Sequence, residues 1–219
     1  MDVWHITWFT IASATAATAL MLPPGVAIAW ILARYRFRGR SIVETIVSLP
    51  LVLPPVASGL ILLLLLSRRG IIGRFLERFG IDVVFTWKAV VIAMATMGMP
   101  LLVRTARAGF EQVDQRYEHV AATLGARPAR IFFTISLPLA APSVIAGAVL
   151  AFARALGEFG ATIMIAGSIP GVTRTLAVAI YSYTETGRDS SAFVLLGISA
   201  AIAFGALWIA NKLSERRPA

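Results

Sequence analysis

Two charged residues, Arg154 and Glu158, lie four positions apart within the apolar stretch LAFARALGEFGATIMIAG. An unpaired charge in the middle of a membrane-spanning helix costs about 2.5–3.5 kcal/mol on insertion scales, so such a residue normally has a partner or a function. Residues four apart lie on one helix face, and Thr162 is one turn further on. The spacing therefore predicts an ion pair and a polar stripe, either as a structural contact between packed helices or near a transport pathway or gate.

Other chemistry finds little support in the residue types. The chain has no cysteine, which excludes thiolate metal sites, and only two histidines. A phosphate-binding loop needs Gly-Lys followed by Ser or Thr, and neither Lys88 nor Lys212 follows a glycine. HExxH and GxSxG motifs are absent. We therefore expect no catalytic residue, metal or cofactor on this chain, so any ATP must be hydrolysed on another polypeptide.

Membrane helices are the elements that must position these residues. The chain has 219 residues, 58% of them hydrophobic, and its mean hydropathy of +0.80 is far above that of ordinary globular proteins. About 20 apolar residues in a helix cross the roughly 30 Å of a bilayer core, and a helix satisfies its own backbone polar groups there. We predict one all-α integral membrane domain, residues 1–219, with five spans near 6–33, 42–66, 87–108, 137–166 and 191–213.

The distribution of charge indicates the orientation. The net charge is +9, but the basic residues lie at span ends and not on a soluble face, which argues for lipid and against nucleic acid as a partner. Arg and Lys are most numerous in the 34–40 loop, the 104–130 region and the C-terminal tail. By the positive-inside rule, the N-terminus lies outside and the C-terminus lies in the cytoplasm.

Prolines interrupt the second predicted span, at Pro50, Pro54 and Pro55. Proline frees backbone carbonyls and bends a helix, which suits helices that open and close a pathway but also occurs in static membrane helices. We take these three residues as gate candidates and leave the static alternative open.

The predicted cytoplasmic segment YEHVAATLGARPARIFFTISLPLAAP at 117–142 is built differently from the spans. Apolar and small residues recur at helical spacing from 113 to 124, which predicts a short amphipathic helix. Gly125 permits a positive φ, and Pro128 suits the first turn of a second helix that runs towards Leu137. The exposed apolar face of this helix pair must be buried against the protein itself or a partner.

This segment resembles the cytoplasmic signature of ABC importer permeases, in which EAA, three residues, Gly, nine residues, Ile, any residue, Leu and Pro follow one another. The resemblance implies a coupling loop, about 110–137, that docks on a cytoplasmic ATPase; the alternative is an ordinary loop on the inner leaflet. His119 stands where the family has Glu, so whether Glu118 replaces that carboxylate stays open, while Pro138 is expected to fix where the next span begins. The candidate coupling residues are Glu118, His119, Ala121, Ala122, Gly125, Ile135, Leu137 and Pro138.

A second resemblance is narrower. RALGEFGATIMIAGSIPGVTRT, with SLPLVLPP at 48–55 and RRGIIG at 68–73, resembles the permease subunits of molybdate ABC transporters, over about 20–213. It implies a type I ABC importer permease fold in a prokaryotic cytoplasmic (inner) membrane. The implied partners are a second permease copy, an ATPase dimer carrying ATP and Mg, and an extracytoplasmic oxyanion-binding protein. Sulfate, thiosulfate or tungstate are alternative substrates, and an ATP-independent channel or carrier is the alternative mechanism.

Overall fold

The computed structural model of the chain describes residues 3–215, without the side chains of 209–211 and 213–215. The basic tail residues 216 and 217 lie outside this range. Every regular element within it is a helix. The helices are α1 (Val3–Arg34), α2 (Arg40–Val52), α3 (Pro55–Leu66), α4 (Ile71–Glu77), α5 (Trp87–Gln112), α6 (Gln115–Thr123), α7 (Pro128–Ile131), a π-helical segment (Phe132–Ser136), α8 (Leu137–Leu156), α9 (Gly160–Ala166), α10 (Leu176–Glu185) and α11 (Asp189–Glu215).

Four helical stretches in the described residues are long and apolar enough to cross a membrane. They are α1, α5, the continuous helix Pro128–Leu156 and the Asp189–Trp208 part of α11. Helices α2 and α3 supply a fifth span if they are counted together, although the pair is bent by 117°. The predicted all-α class is confirmed, and five spans are obtained only on that count.

The predicted second span is not a single helix. The 42–66 segment breaks between α2 and α3, where Pro54 has φ −53° and ψ 133°. A residue that precedes proline is pushed out of the helical region, and Pro55 supplies no N–H to continue the helix. Hydropathy alone cannot detect this break, because apolar residues continue on both sides of it.

The predicted fourth span is also divided. Helix α8 ends at Leu156, and α9 begins at Gly160. Gly157, at φ −88° and ψ 10°, caps the end of α8, and Phe159 precedes α9 with φ −124° and ψ −55°. A single 137–166 helix is therefore wrong, and the chain divides between Gly157 and Gly160.

Helix α5 is the centre of the molecule and packs along both α1 and α8. Its buried residues Ala93, Met94 and Leu102 belong to one apolar core together with Met21 of α1 and Ala151 of α8. Small residues at these contacts let helix backbones approach closely, which is how helices associate where lipid removes the hydrophobic driving force. This three-helix frame carries the α3–α9 contact and the α6–α7 loop.

Candidate coupling loop and pathway region

Local backbone chemistry defines helix α6 at both ends. The Asp114 carboxylate accepts a hydrogen bond from the Arg116 N–H at 2.9 Å and caps the first turn. At the other end Gly125 has φ +83°, and the N–H of Ala126 donates to the Ala121 carbonyl at 3.0 Å. This is a Schellman closure, in which a left-handed residue reverses the chain and satisfies the last carbonyls. The short helix and the positive φ match the prediction.

The second half of the loop differs from the prediction. Pro128 occupies the first turn of α7, as expected, but the helix then continues through the π-helical segment into α8 and does not begin anew at Pro138. Proline has no N–H to donate to the carbonyl of Thr134. The N–H of Leu137 instead bonds the Phe132 carbonyl five residues back, so the chain widens by one residue and remains helical.

An apolar groove separates α6 from the beginning of α8. The groove has a volume of about 770 Å³. Leu124 at its rim is 83% exposed, and Tyr117 and Val120 are exposed as well. The apolar face of α6 is therefore not buried by the described residues of this chain. The groove is lined by Arg116, Tyr117, Val120, Ala121, Leu124, Thr134, Ile135, Pro138 and Leu139.

Apart from Glu118, the coupling candidates divide into three groups. Ala121, Ile135 and Pro138 line the groove. Leu137 packs against the core formed by α1, α5 and α8. His119, Ala122 and Gly125 are exposed to the surroundings.

Glu118 points away from the exposed surface and towards the membrane helices. Its Oε1 accepts hydrogen bonds from Arg34 Nε at 2.9 Å and Ser136 Oγ at 2.7 Å, and Arg34 Nη2 lies 2.8 Å from the same oxygen. Arg34 Nη2 also donates to the Val113 carbonyl at 3.0 Å. We call the side chains of Arg34, Glu118 and Ser136 the Glu118 junction. Sequence reasoning counted Arg34 only among basic anchors and missed Ser136, because 84 positions separate Arg34 from Glu118.

The predicted Arg154–Glu158 ion pair is present. Arg154 Nη1 lies 2.7 Å from Glu158 Oε2, and the Glu158 side chain is only 1% exposed. The predicted shared helix face is wrong, because Arg154 lies in the last turn of α8 and Glu158 lies beyond its end. Glu158 Oε1 instead accepts the Ala161 N–H at 2.8 Å and satisfies the first turn of α9. The pair thus joins the two halves of the divided helix.

The breaks in the two divided segments contact each other. A Cβ atom placed at Gly160 would lie 2.7 Å from the Pro55 Cβ, and one placed at Gly59 would lie 2.7 Å from the Ala161 Cα. Only glycine permits α3 and α9 to approach this closely. The hydroxyl of Thr162 is buried there without a hydrogen-bond partner among the described residues.

Of the proline candidates, Pro55 belongs to this contact and Pro54 directly precedes it, whereas Pro50 lies elsewhere. Pro50 borders a separate apolar groove of about 420 Å³ between α1, α2 and α5. The structure therefore brings Pro55 close to the Arg154–Glu158 segment and leaves Pro50 outside it. The roles of all these residues in a pathway or gate stay predictions.

Comparison with known proteins decides the family. The model of the family described as "Binding-protein-dependent transport system inner membrane component" matches residues 25–217. The chain belongs to this family. Among its relatives, the molybdenum transport system permease protein ModB of Escherichia coli K12 is 45% identical, over 97% of this chain and 96% of that protein. ModB of Mycobacterium tuberculosis is 43% identical over 90% and 78%. The sulfate permease CysT of Salmonella typhimurium is 38% identical over 88% and 69%.

Solved structures of ABC transporters share the fold of this chain. A chain of a bacterial ABC transporter that imports the acidic polysaccharide alginate superposes with a TM-score of 0.69 at 16% identity, covering 100% of this chain and 81% of that one. A chain of the MetNI methionine ABC transporter in an inward-facing conformation gives 0.64 at 16% identity, covering 96% and 94%. The type I importer permease fold is confirmed.

Proposed function

We propose that this chain is the membrane-spanning permease subunit of an ABC importer that moves molybdate, or a similar tetrahedral oxyanion, into the cytoplasm. The observation that carries the proposal is the 45% identity to a molybdenum permease over nearly the full length of both chains. ATP is hydrolysed on a separate ATPase subunit, because this sequence has no phosphate-binding loop. The permease works as a homodimer, with its N-terminus outside and its C-terminus in the cytoplasm, and receives the anion from an extracytoplasmic binding protein.

The ATPase docks on α6 and the groove beside it. This surface is apolar, exposed and unfilled by the described part of the chain, which is the condition for a partner's side chains to enter it. Ala121 and Ala122 are small enough for the ATPase to approach α6 closely. Gly125 fixes the direction in which the chain leaves α6. The Glu118 carboxylate is bonded to Arg34 and Ser136 of this chain, so in this proposal it is not the docking carboxylate.

The pathway region is assigned to the contact between α3 and α9. The Arg154–Glu158 pair leaves little net charge there, because the guanidinium is matched by a carboxylate at 2.7 Å. A path without a strong charge avoids deep binding wells that would slow release of a dianion. In this proposal the binding protein selects the anion. Pro54, Pro55 and Thr162 lie in the α3–α9 region, which opens to let the anion pass.

Substitution of the exposed groove residue Leu124 tests the docking surface. Leu124→Glu places a charge on an apolar interface without burying it in the fold, because the side chain is 83% exposed. We expect the variant to insert in the membrane normally and to lose co-purification with its ATPase. Phe79→Glu is the matched control, because Phe79 is 66% exposed in the segment between α4 and α5. Retention of the ATPase by Leu124→Glu would refute docking at this groove.

Sulfate is the second candidate substrate. CysT sulfate permeases are 36–38% identical to this chain, not far below the molybdenum permeases. Uptake of labelled molybdate into vesicles containing the whole complex, in competition with tungstate and sulfate, discriminates the candidates. We expect molybdate and tungstate to compete with each other and sulfate to compete poorly; stronger competition by sulfate would assign the chain to the sulfate permeases.

A further inference from the structure

All the contacts of the Glu118 junction converge on one carboxylate oxygen of α6. Glu118 Oε1 receives the Nε and Nη2 groups of Arg34 and the Ser136 hydroxyl, all between 2.7 and 2.9 Å. The Arg34 side chain is 6% exposed and that of Glu118 16%. Charge-assisted hydrogen bonds of this length, shielded from water, are among the stronger polar contacts in proteins. The junction therefore binds the end of α1, helix α6 and the π-helical segment to one another.

Helix α6 has no comparable apolar anchor. None of its residues is buried, whereas every long helix of the core buries one whole face. Its chain neighbour Val113 is buried, but beyond that residue α6 projects from the body of the protein. The position of α6 relative to the membrane helices thus depends on the Glu118 junction more than on packing.

The receiving side of the junction is packed into the core. Arg34 is the last residue of the 32-residue helix α1, and Ser136 is fully buried at the end of the π-helical segment. Below them the ring of Phe132 contacts Trp30 at 5.0 Å and Phe110 at 6.2 Å between centroids. These aromatic contacts join α1, α5 and the start of α8 into one block.

We propose that the Glu118 junction makes α6 move as one body with the cytoplasmic end of α1 and the beginning of α8, so that displacement of α6 is transmitted directly into both membrane helices. This inference rests on the proposed function, since the ATPase supplies the displacement. Glu118 is a positioning residue in this scheme, because its carboxylate bonds Arg34 and Ser136 of this chain, and the docking surface is formed by other residues of the loop. Arginine is required because its planar fork donates to Glu118 and to the Val113 carbonyl together, which a lysine ammonium cannot reproduce in the same geometry.

The ratio of molybdate transported to ATP hydrolysed, measured with the complete complex in vesicles, tests the junction. Glu118→Gln keeps the shape of the side chain and removes its charge, and Arg34→Lys keeps the charge and removes the fork. We expect both variants to retain the ATPase and to lower the ratio about tenfold, the factor expected for loss of one charge-assisted hydrogen bond. An unchanged ratio would overturn the proposal, and so would loss of ATPase binding, because Glu118 would then belong to the docking surface.

Asp82→Asn is the matched control. It also removes one carboxylate charge from an ion pair, since Asp82 Oδ2 lies 2.9 Å from Arg68 Nη2. The hydrogen bond from Arg68 holds the pKa of the Asp82 carboxyl below its usual value, so the charge removed is a full one at neutral pH. This pair is exposed and distant from α6 in sequence, and we expect the transport ratio to stay unchanged.

A second measurement needs neither ATPase nor substrate. Because the chain has no cysteine, spin labels can be placed at Arg36→Cys and Gln115→Cys, two exposed positions beyond α1 and at the start of α6. We expect a narrow distribution of label distances in the otherwise unsubstituted permease and a broad one when Glu118→Gln is added. Equal widths would overturn the junction as the anchor of α6. Failure of the proposed function would show differently, as absent ATP-driven uptake by the unsubstituted complex.

Discussion

Gly125 is the residue on which the shape of the loop depends most directly. It holds φ +83°, and a side chain at this position would meet no atom within 4 Å, so conformation alone and not space restricts it. Gly125→Ala is expected to cost about 1–2 kcal/mol for the left-handed conformation. The affinity of the purified permease for its ATPase should fall about five- to thirtyfold, because α6 is no longer held in the orientation in which it docks.

Gly187→Ala is the control for this prediction. Gly187 lies between α10 and α11, has φ +68° and has equally open space around it. The substitution carries the same conformational cost but should leave the affinity for the ATPase unchanged. Equal loss of affinity in both variants would mean that Gly125 acts through general stability and not through the loop.

Residue contacts were predictable from the sequence only where they are local. The Arg154–Glu158 pair follows from a four-residue spacing, and the positive φ of Gly125 follows from its place after an amphipathic helix. The partner of Glu118 did not follow, because no spacing rule relates it to a residue 84 positions away. Folding brings the end of α1 next to α6, and this contact determines the direction of the Glu118 side chain. It does not identify a replacement for the family's carboxylate at the position of His119.

At the scale of elements, the two broken helices depend on each other. Helices α3 and α9 each begin at a break, and the breaks contact one another through Pro55 and Gly160. Hydropathy predicted where apolar segments lie, since transfer into lipid depends on composition. It missed the 117° bend between α2 and α3. The bend is stabilised by the contact of α3 with α9, and hydropathy contains no information on contacts between distant segments.

Gly160→Ala tests that contact. The new Cβ would lie 2.7 Å from the Pro55 Cβ, which the proline ring cannot avoid by rotating. Overpacking of this kind costs about 1–3 kcal/mol, so the midpoint of thermal unfolding in detergent should fall. Gly157→Ala is the control three positions earlier, where a Cβ meets nothing within 4 Å and φ is −88°. A similar midpoint for both variants would show that α3 and α9 are not in close contact.

At the level of the whole molecule, the fold and the family both indicate that this chain is one component of a transport system. It has the helices to cross a membrane, an exposed apolar groove beside α6 and no phosphate-binding loop. The central helices link the α6 loop to the α3–α9 contact. Helix α6 is joined to α1 and to the segment before α8 at the Glu118 junction, and α8 leads to the Arg154–Glu158 pair. We therefore expect motion at the loop to reach the α3–α9 contact through α8.

Molybdate uptake into vesicles, measured with the purified permease, its ATPase and its binding protein added in turn, tests the central claim most directly. We expect uptake only when all three proteins and ATP are present, and none with the permease alone. Uptake by the permease alone, at a rate that ATP does not change, would contradict it and would identify the chain as a channel or a carrier.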